Sequence, residues 1–256
     1  KTTLMQILGG LMVPTSGSIS IDGSQASADD LLTGSIIASS ARDFDALYSQ
    51  SLVDYARLRP TWDEKLFAHY AERFDLRINR KYVRKLSGGQ AAILSASIAL
   101  ASGAPLTLLD EIQAPLDVPT RYALYEEILA LAGEVMEGQR PQRRFLISSH
   151  MVSELEKVAE DVIVLKKSEL LAHETIDDFT CRVSALTGHA SDVERFLAAH
   201  PDLAVIASRE LGSTREIVVD LRGSAVGDTE LASHSLTSSP CSFQDAFAYL
   251  IQENDQ

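Results

Sequence analysis

Two short segments carry side chains that could act on a phosphate. The segment Ser87-Gly88-Gly89-Gln90 precedes a long apolar stretch, and a glycine turn that opens a helix presents N–H groups and a positive helix end to an anion. Asp110 and Glu111 follow the apolar run 105–109. Aspartate supplies the hard oxygens that Mg²⁺ prefers, and the neighbouring glutamate could deprotonate an attacking water. Each segment also has a plainer interpretation, namely a helix capped by Ser87 and two solvated acids at a strand end.

Two further segments could contact the same phosphate. Lys1, Thr2 and Thr3 match the end of the phosphate-binding pattern G-x-x-x-x-G-K-[ST], in which Lys reaches the β- and γ-phosphates and the hydroxyl reaches Mg²⁺. His150 ends the apolar run 144–150 after two serines. It could touch a phosphate oxygen, or it could be a histidine whose hydrogen bonds are satisfied at a turn.

Strands alternate with helices in the segments that must position these residues. Apolar runs typical of buried parallel strands lie at 105–109, 144–150 and 162–165, and residues 2–12 and 122–135 have helical spacing. This alternation predicts an α/β fold with a largely parallel sheet. The pattern adds an exposed strand at 18–23, a short apolar run at 36–37, and an all-helical insertion from about 45 to 80.

The pattern changes beyond about residue 179. Segments 181–186, 193–199, 203–207 and 217–221 are typical of strand, helix, strand and strand. Residues 223–242 are rich in Ser, Gly and Thr and are predicted to be loose, and 243–252 are predicted to form a helix. The predicted architecture is a core at 1–179 and a small α+β accessory segment at 180–256.

Composition excludes several classes of protein. The 256 residues are 45% hydrophobic, an ordinary globular balance, and the net charge is −13. Because phosphate neutralisation needs clustered Lys and Arg, 36 acids against 23 bases argue against a nucleic-acid-coating protein. The two cysteines form neither a disulfide framework nor a metal cluster. No run of about 18 apolar residues is present, so no membrane span is predicted.

The order and spacing of the motifs resemble one family. Lys1-Thr2-Thr3, the segment 14–23, Leu86-Ser87-Gly88-Gly89-Gln90, Asp110-Glu111 twenty residues beyond Gln90, Asp117, and Ser149-His150 follow one another in that order. Over residues 1–180 the chain resembles the nucleotide-binding subunit of ABC transporters, and LSGGQ ahead of an acidic strand end is a highly specific signal. The resemblance implies a P-loop NTPase-like fold that binds ATP and Mg²⁺, with a helical subdomain at about 45–95.

The resemblance also implies a role for each matching residue. Lys1, Thr2 and Thr3 correspond to the end of Walker A, with Thr2 on Mg²⁺, and Asp110 corresponds to the Walker B aspartate on the Mg²⁺ shell. Glu111 corresponds to the general base and His150 to the switch histidine at the γ-phosphate. Ser87, Gly88, Gly89 and Gln90 correspond to the signature that binds ATP held by the opposite subunit. Asp117 corresponds to the D-loop aspartate at the dimer interface.

The chain also departs from the family pattern. The glutamine expected near residues 38–50 is missing, which leaves Ser40, Asp43 and Gln50 as open alternatives. Ile112 replaces the usual proline, and the helix after Gln90 lacks the usual basic residues. Because the chain opens at Lys1, the resemblance predicts truncation within Walker A, with the first strands and the loop glycines missing. A chain starting there is expected to fold marginally, to bind ATP poorly and to have impaired or absent hydrolysis.

The resemblance implies an ATPase subunit that powers transport through a separate integral-membrane permease. The stretches 60–63 and 73–76 and Tyr48 are similar to the helical insertion of ABC-2 exporters, so export is expected. The subunit would pair as a homo- or heterodimer, without nucleic acid, on the cytoplasmic face of the cell membrane. One alternative is a non-catalytic or regulatory partner in a heterodimer. A soluble ABC ATPase of DNA repair or translation is disfavoured, because the chain has neither a long coiled-coil insertion nor a tandem cassette.

Overall fold

The chain forms two compact units. The computed structural model describes residues 1–39, 44–222 and 226–253, and it divides the chain into Lys1–His150 and Met151–Gln256. The sequence placed the start of the accessory segment later, at 180. The structure assigns 151–179 to the second unit because Val164, Ile176 and Phe179 share one buried cluster with Val183 and Phe243.

The first unit contains six helices and five strands among its described residues. The helices are α1 (Thr2–Leu8), α2 (Ala28–Gly34), α3 (Ser49–Ala56), α4 (Glu64–Arg73), α5 (Gly88–Ala101) and α6 (Val118–Met136). The strands are β1 (Ser20–Ile21), β2 (Ser24–Gln25), β3 (Ser35–Ser39), β4 (Leu106–Asp110) and β5 (Arg144–Ser148). A short 3₁₀ turn spans Val83–Lys85.

A parallel sheet of three strands organises this unit. The strand order is β3-β4-β5, and the register aligns Ser39, Asp110 and Ser148 at the carboxyl ends. The central strand β4 is buried over Thr107–Asp110, as expected for a parallel strand covered on both faces. The predicted parallel α/β core is confirmed, and ligands of such sheets bind at this edge.

Helix α5 carries the signature segment at its start. Its sequence is apolar on all sides, which is typical of a helix surrounded by protein, and Ala96, Ala99 and Leu100 are fully or almost fully buried. Helices α3 and α4 supply the predicted all-helical insertion, and α4 packs against α5.

Two details of the first unit differ from the sequence prediction. Helix α1 ends at Leu8 rather than at residue 12, because Gly9 and Gly10 follow it and Gly10 has a φ of +70°. Helix α2 was not predicted. It begins with a capping box in which Ser27 and Asp30 satisfy each other's backbone N–H groups.

The second unit is an antiparallel sheet covered by helices. Its helices are α7 (Val152–Leu155), α8 (Ile176–Cys181), α9 (Ala190–Ala199), α10 (Asp228–Ser233) and α11 (Phe243–Glu253). Its strands are β6 (Asp161–Lys166), β7 (Glu169–Thr175), β8 (Val183–His189), β9 (Ala204–Leu211), β10 (Thr214–Asp220) and β11 (Thr237–Pro240). The main sheet has the order β11-β8-β10-β9.

Alternation along β10 builds the two apolar faces of this sheet. Ile217 and Val219 join a cluster with Phe196 of α9, whereas Val218 joins the cluster of Phe179 and Phe243. Successive strand residues point to opposite faces, so one strand supplies both layers. The predicted strand, helix, strand, strand order corresponds to β8, α9, β9 and β10, and the terminal helix is α11.

Two predictions for the second unit were wrong. The run 162–165 was expected in a parallel sheet, but β6 pairs antiparallel with β7 as a hairpin. The stretch 223–242 was expected to be loose, but it contains α10 and also β11, which pairs with β8. Buried Leu231 and Leu236 anchor that stretch to the sheet. The prediction was wrong because it rested on the high Ser and Thr content of the stretch and not on these two leucines.

Candidate functional site

Three charged or ionisable side chains meet at the carboxyl edge of the parallel sheet. The Lys1 ammonium donates a hydrogen bond of 3.0 Å to Glu111 Oε1 and another of 3.0 Å to the Ser149 carbonyl. His150 Nε2 lies 3.2 Å from the same Glu111 oxygen, and its Nδ1 lies 3.3 Å from Lys1 Nζ. The His150 side chain is 80% exposed, and that of Glu111 only 20%. The exposed Lys1 ammonium and His150 imidazole thus both contact one oxygen of the largely buried Glu111 carboxylate.

Backbone geometry at the end of β4 sets the direction of Glu111. Its φ is +52°, a left-handed conformation uncommon for residues other than glycine. The Glu111 N–H donates to the Ser148 carbonyl at 3.3 Å and to its hydroxyl at 3.2 Å. Neighbouring strand β5 therefore holds the residue after Asp110 in an unusual conformation, which is a common property of functional sites.

Asp110 lies beside this cluster and is almost fully buried. One of its carboxylate oxygens, Oδ1, accepts a short hydrogen bond from the Ser148 hydroxyl. Asp110 also lines a cavity of about 650 Å³ together with Thr2 and Ser39, whose other walls are mainly apolar. A carboxylate and a hydroxyl thus line one cavity, whereas Thr3 lines no part of it. The joint Mg²⁺ role of Thr2 and Asp110 stays a prediction.

The chemistry of these donors fits Mg²⁺. Among the described residues, no group of three or more His, Cys, Asp or Glu side chains could hold a metal by itself. Nucleotide sites need no such cage, because Mg²⁺ keeps several waters and takes one or two protein oxygens beside the substrate phosphates. The Thr2 hydroxyl and the Asp110 carboxylate are oxygen donors of this kind.

The signature segment forms the first turn of α5. Ser87 Oγ accepts the Gln90 N–H at 3.1 Å, and Gln90 Oε1 accepts the Ser87 N–H at 3.0 Å, which is a capping box. A Cβ at position 89 would lie 3.1 Å from the Pro115 carbonyl, so the loop after Glu111 packs closely on this turn. Ser87 thus satisfies the N–H of Gln90, whereas the N–H groups of Gly88 and Gly89 have no intrahelical partner. That this turn binds a phosphate stays a prediction, and a helix start of this kind favours an anion.

The signature does not join the cluster at the sheet edge. Across 1–39, 44–222 and 226–253, no hydrogen bond or ion pair links Ser87, Gly88, Gly89 or Gln90 to Lys1, Glu111 or His150. Asp117 is likewise separate and caps α6, because its Oδ1 accepts the Thr120 N–H at 2.9 Å. The hydrogen bonds from Thr120 hold the pKa of Asp117 below its usual range.

Only one of the three alternatives for the missing glutamine can be placed. Gln50 lies in α3, and its Nε2 donates to Asp54 at 2.9 Å. It does not line the cavity of Asp110. Ser40 and Asp43 lie outside the described residues.

Sequence reasoning did not assign a role to two buried polar residues at this site, Ser148 and Gln113. Gln113 Nε2 donates to the Ser148 carbonyl at 3.1 Å, and Ser148 bonds both Asp110 and Glu111. The pairing of β4 with β5 was the available signal, because two parallel strands that both end in polar residues bring those residues together.

Comparisons with known proteins point to one family. Residues 1–114 match the family model described as ABC transporter. The chain is 30% identical over 180 residues to the phospholipid-transporting ATPase ABCA3 of Mus musculus, covering 66% of this chain and 10% of that protein. It is 24% identical to the molybdenum import ATP-binding protein ModC of Albidiferax ferrireducens, covering 90% of this chain and 64% of that protein. The chain thus spans about a tenth of the phospholipid transporter and less than two thirds of ModC.

A solved structure shares the fold. A dimeric ATP-binding cassette in a post-hydrolysis state, bound to ADP and Pi, superposes with a TM-score of 0.51 at 22% identity, covering 68% of this chain and 79% of that chain. Across the described residues, no helix has both the length and the apolar character needed to cross a membrane. The chain thus matches the ABC transporter family over residues 1–114, and its fold is similar to that of an ATP-binding cassette.

Proposed function

We propose that this chain binds and hydrolyses ATP to power transport across a membrane through a separate permease. The single observation that carries the proposal is the meeting of Lys1, Glu111 and His150 at one point of the sheet edge, next to Asp110. A cation and an imidazole suited to phosphate oxygens, together with a carboxylate base, are the groups that phosphoryl transfer to water requires.

Each side chain has a defined part in the proposed reaction. The Glu111 carboxylate accepts the proton of the water that attacks the γ-phosphate. Lys1, which now pairs with Glu111 at 3.0 Å, exchanges that carboxylate for the phosphate oxygens when ATP binds. His150 contacts the γ-phosphate from its exposed position. Thr2 and Asp110 would hold Mg²⁺, which supplies neutralisation of the phosphate charge.

A pair of chains completes the site in this proposal. The Ser87 turn does not meet the Lys1 cluster within one chain, so the N–H groups of Gly88 and Gly89 are available to a nucleotide held by a second copy or a related subunit. The cassette described above is itself dimeric. ATP is then contacted by both subunits, and its hydrolysis loosens the pair, because only differential contact with ATP and ADP shifts such an equilibrium. Asp117 at the start of α6 would lie at the same dimer interface.

The proposal extends to the transport that this motion drives. The insertion with α3 and α4 would pass the motion to the permease at the cytoplasmic face of the cell membrane. We infer export from the resemblance of this insertion to ABC-2 exporters. The relatives named above include one called a phospholipid-transporting ATPase and one called an import protein, so their names do not decide the direction.

The substitution Glu111→Gln tests the catalytic assignment. Single-turnover hydrolysis with excess protein should slow by about 100-fold or more, the usual contribution of a general base, while Mg²⁺·ATP binding persists because the amide keeps the shape of the side chain. Glu72→Gln, on exposed α4, is the matched control and should leave the rate unchanged.

Two results of this assay would contradict the proposal. An unchanged rate in Glu111→Gln would remove Glu111 as the base. A wild-type chain that binds Mg²⁺·ATP but hydrolyses none would favour the non-catalytic, regulatory partner instead.

A further inference from the structure

Ser148 connects the two acids of the site through three hydrogen bonds, made by its hydroxyl and its carbonyl oxygen. It ends β5 directly opposite Asp110 in the parallel register. Its hydroxyl donates to Asp110 Oδ1 and accepts the Glu111 N–H, and its carbonyl accepts that same N–H. Ser148 and Asp110 are 8% and 4% exposed, so little water competes for these bonds.

The buried side chain of Gln113 holds the backbone of Ser148 in place. The Gln113 side chain is completely buried, and Nε2 donates to the Ser148 carbonyl. Within the described residues, Gln113 Oε1 has no hydrogen-bond partner. A buried acceptor without a partner costs free energy. The Gln113 side chain carries this cost, and the hydrogen bond that its amide makes is the one to the Ser148 carbonyl.

We propose that Ser148 is a positioning residue for the hydrolysis of ATP, held by Gln113, an inference that rests on the function proposed above. By donating to Oδ1, the hydroxyl fixes the Asp110 carboxylate, which would hold Mg²⁺ with its remaining acceptor capacity. By accepting the Glu111 N–H, it keeps the left-handed backbone that aims the Glu111 carboxylate at Lys1 and His150. Outer partners that orient ligands in this way are typically worth 10–100-fold in metal affinity or activity.

Ser148→Val and Ser148→Thr form a matched pair for the test, because the two side chains have nearly the same shape and only threonine keeps the hydroxyl. Both β-branched residues suit a strand end. We expect Ser148→Val to lower the single-turnover rate about 10–100-fold and to raise the Mg²⁺ concentration needed for half-maximal rate. Ser148→Thr should restore both, and the concentration of ATP for half-maximal rate should change little in either variant.

A second measurement does not depend on activity. Hydrogen exchange at the Glu111 amide, read by NMR in the nucleotide-free chain, should be faster in Ser148→Val than in wild type and unchanged in Ser148→Thr. Ser148→Ala replaces the valine variant if the latter does not fold. If the wild type hydrolyses no ATP, the proposed function fails, and the exchange rates still decide the role of Ser148.

Two outcomes would overturn the positioning role. With an active wild type, equal rates and equal Mg²⁺ dependence in the valine and threonine variants would show that the hydroxyl does nothing for hydrolysis. With an inactive wild type, an unchanged exchange rate of the Glu111 amide in Ser148→Val would show that the hydroxyl does not hold this backbone.

Discussion

At the scale of single residues, two sets of ion pairs in this protein differ in burial and in expected role. The pair of Lys1 and Glu111 is partly exposed and is expected to open when a phosphate competes for the lysine. In the second unit, Arg182 is instead buried and bonds Asp220 through Nε and Nη2 and Glu174 through Nη1. Burial raises the pKa of Asp220, but the hydrogen bonds from Arg182 and Arg222 outweigh it, so the net pKa lies below its usual range.

Arg182→Met should therefore destabilise the second unit. Because it leaves two largely buried carboxylates without their cation, the expected loss is about 3–5 kcal/mol at pH 7. Hydrogen exchange at the β10 amides measures this loss locally. Arg195→Met, which removes the ion pair of an exposed guanidinium with Asp192 one turn earlier in α9, is the control and should cost less than about 1 kcal/mol.

The same pair fixes the expected dependence on pH. A carboxyl whose pKa is depressed by folding stabilises the fold above its unfolded pKa of about 4, and this contribution is lost as the pH falls through the folded pKa. The difference between wild type and Arg182→Met should thus shrink below about pH 4. A difference that stays constant down to pH 2 would contradict the assignment to Asp220.

At the scale of elements, one close backbone contact joins the helical insertion to the end of α5. Gly103 has a φ of +66°, and a Cβ there would lie 2.1 Å from the Thr61 carbonyl. The Thr61 hydroxyl donates to the Ser102 carbonyl at 2.7 Å, and the Asp63 N–H donates to Ala101 at 2.9 Å. Any side chain at position 103 must push this segment away.

Gly103→Ala and Gly138→Ala separate the conformational cost from the steric cost. Gly138 has a φ of +73° but nothing within 4 Å of a Cβ, so its substitution should cost about 1–2 kcal/mol for the left-handed backbone alone. Gly103→Ala should lose a further 1–3 kcal/mol, roughly, by overpacking. Urea unfolding followed by Trp62 fluorescence measures both, and equal losses would contradict the close contact.

Periodicity predicted the elements whose apolar pattern is continuous. Strands β4 and β5, the helical insertion and α11 all followed from it, as did the sheet edge that carries Asp110 and Glu111. It failed where the pairing of a strand depends on the turn that follows it. The run 162–165 has the composition of a parallel strand, but the turn at Lys167 and Ser168, both with positive φ, returns the chain as β7.

The candidate site could also be predicted only in part from the sequence. Lys1, Glu111 and His150 could be predicted as site residues from their residue types and their spacing. The structure brings the three side chains together. Ser148 and Gln113 could not be predicted as site residues. Their contacts depend on the register between β4 and β5, which cannot be read from the sequence. The family resemblance supplied no role for either residue.

At the scale of the whole molecule, the proposed function requires two copies that share each nucleotide. In the proposed function, each copy contributes the Lys1, Glu111 and His150 cluster at its sheet edge to one nucleotide and the Ser87 turn of its α5 to the other. A nucleotide needs both surfaces in the proposed arrangement, so the base of one subunit works with the Ser87 turn of the other.

Mixing two inactive variants tests that claim most directly. Glu111→Gln lacks the base, and Ser87→Arg blocks the signature turn, so each alone should be inactive. An equal mixture should hydrolyse ATP well above either variant alone, because mixed pairs contain one site with an intact Glu111 and an intact Ser87. A mixture of Glu111→Gln with Glu111→Ala, in which no copy has the base, should show no recovery. Recovery in the first mixture alone is the predicted result, and its absence, with both variants folded and pairing, would contradict a nucleotide shared between two chains.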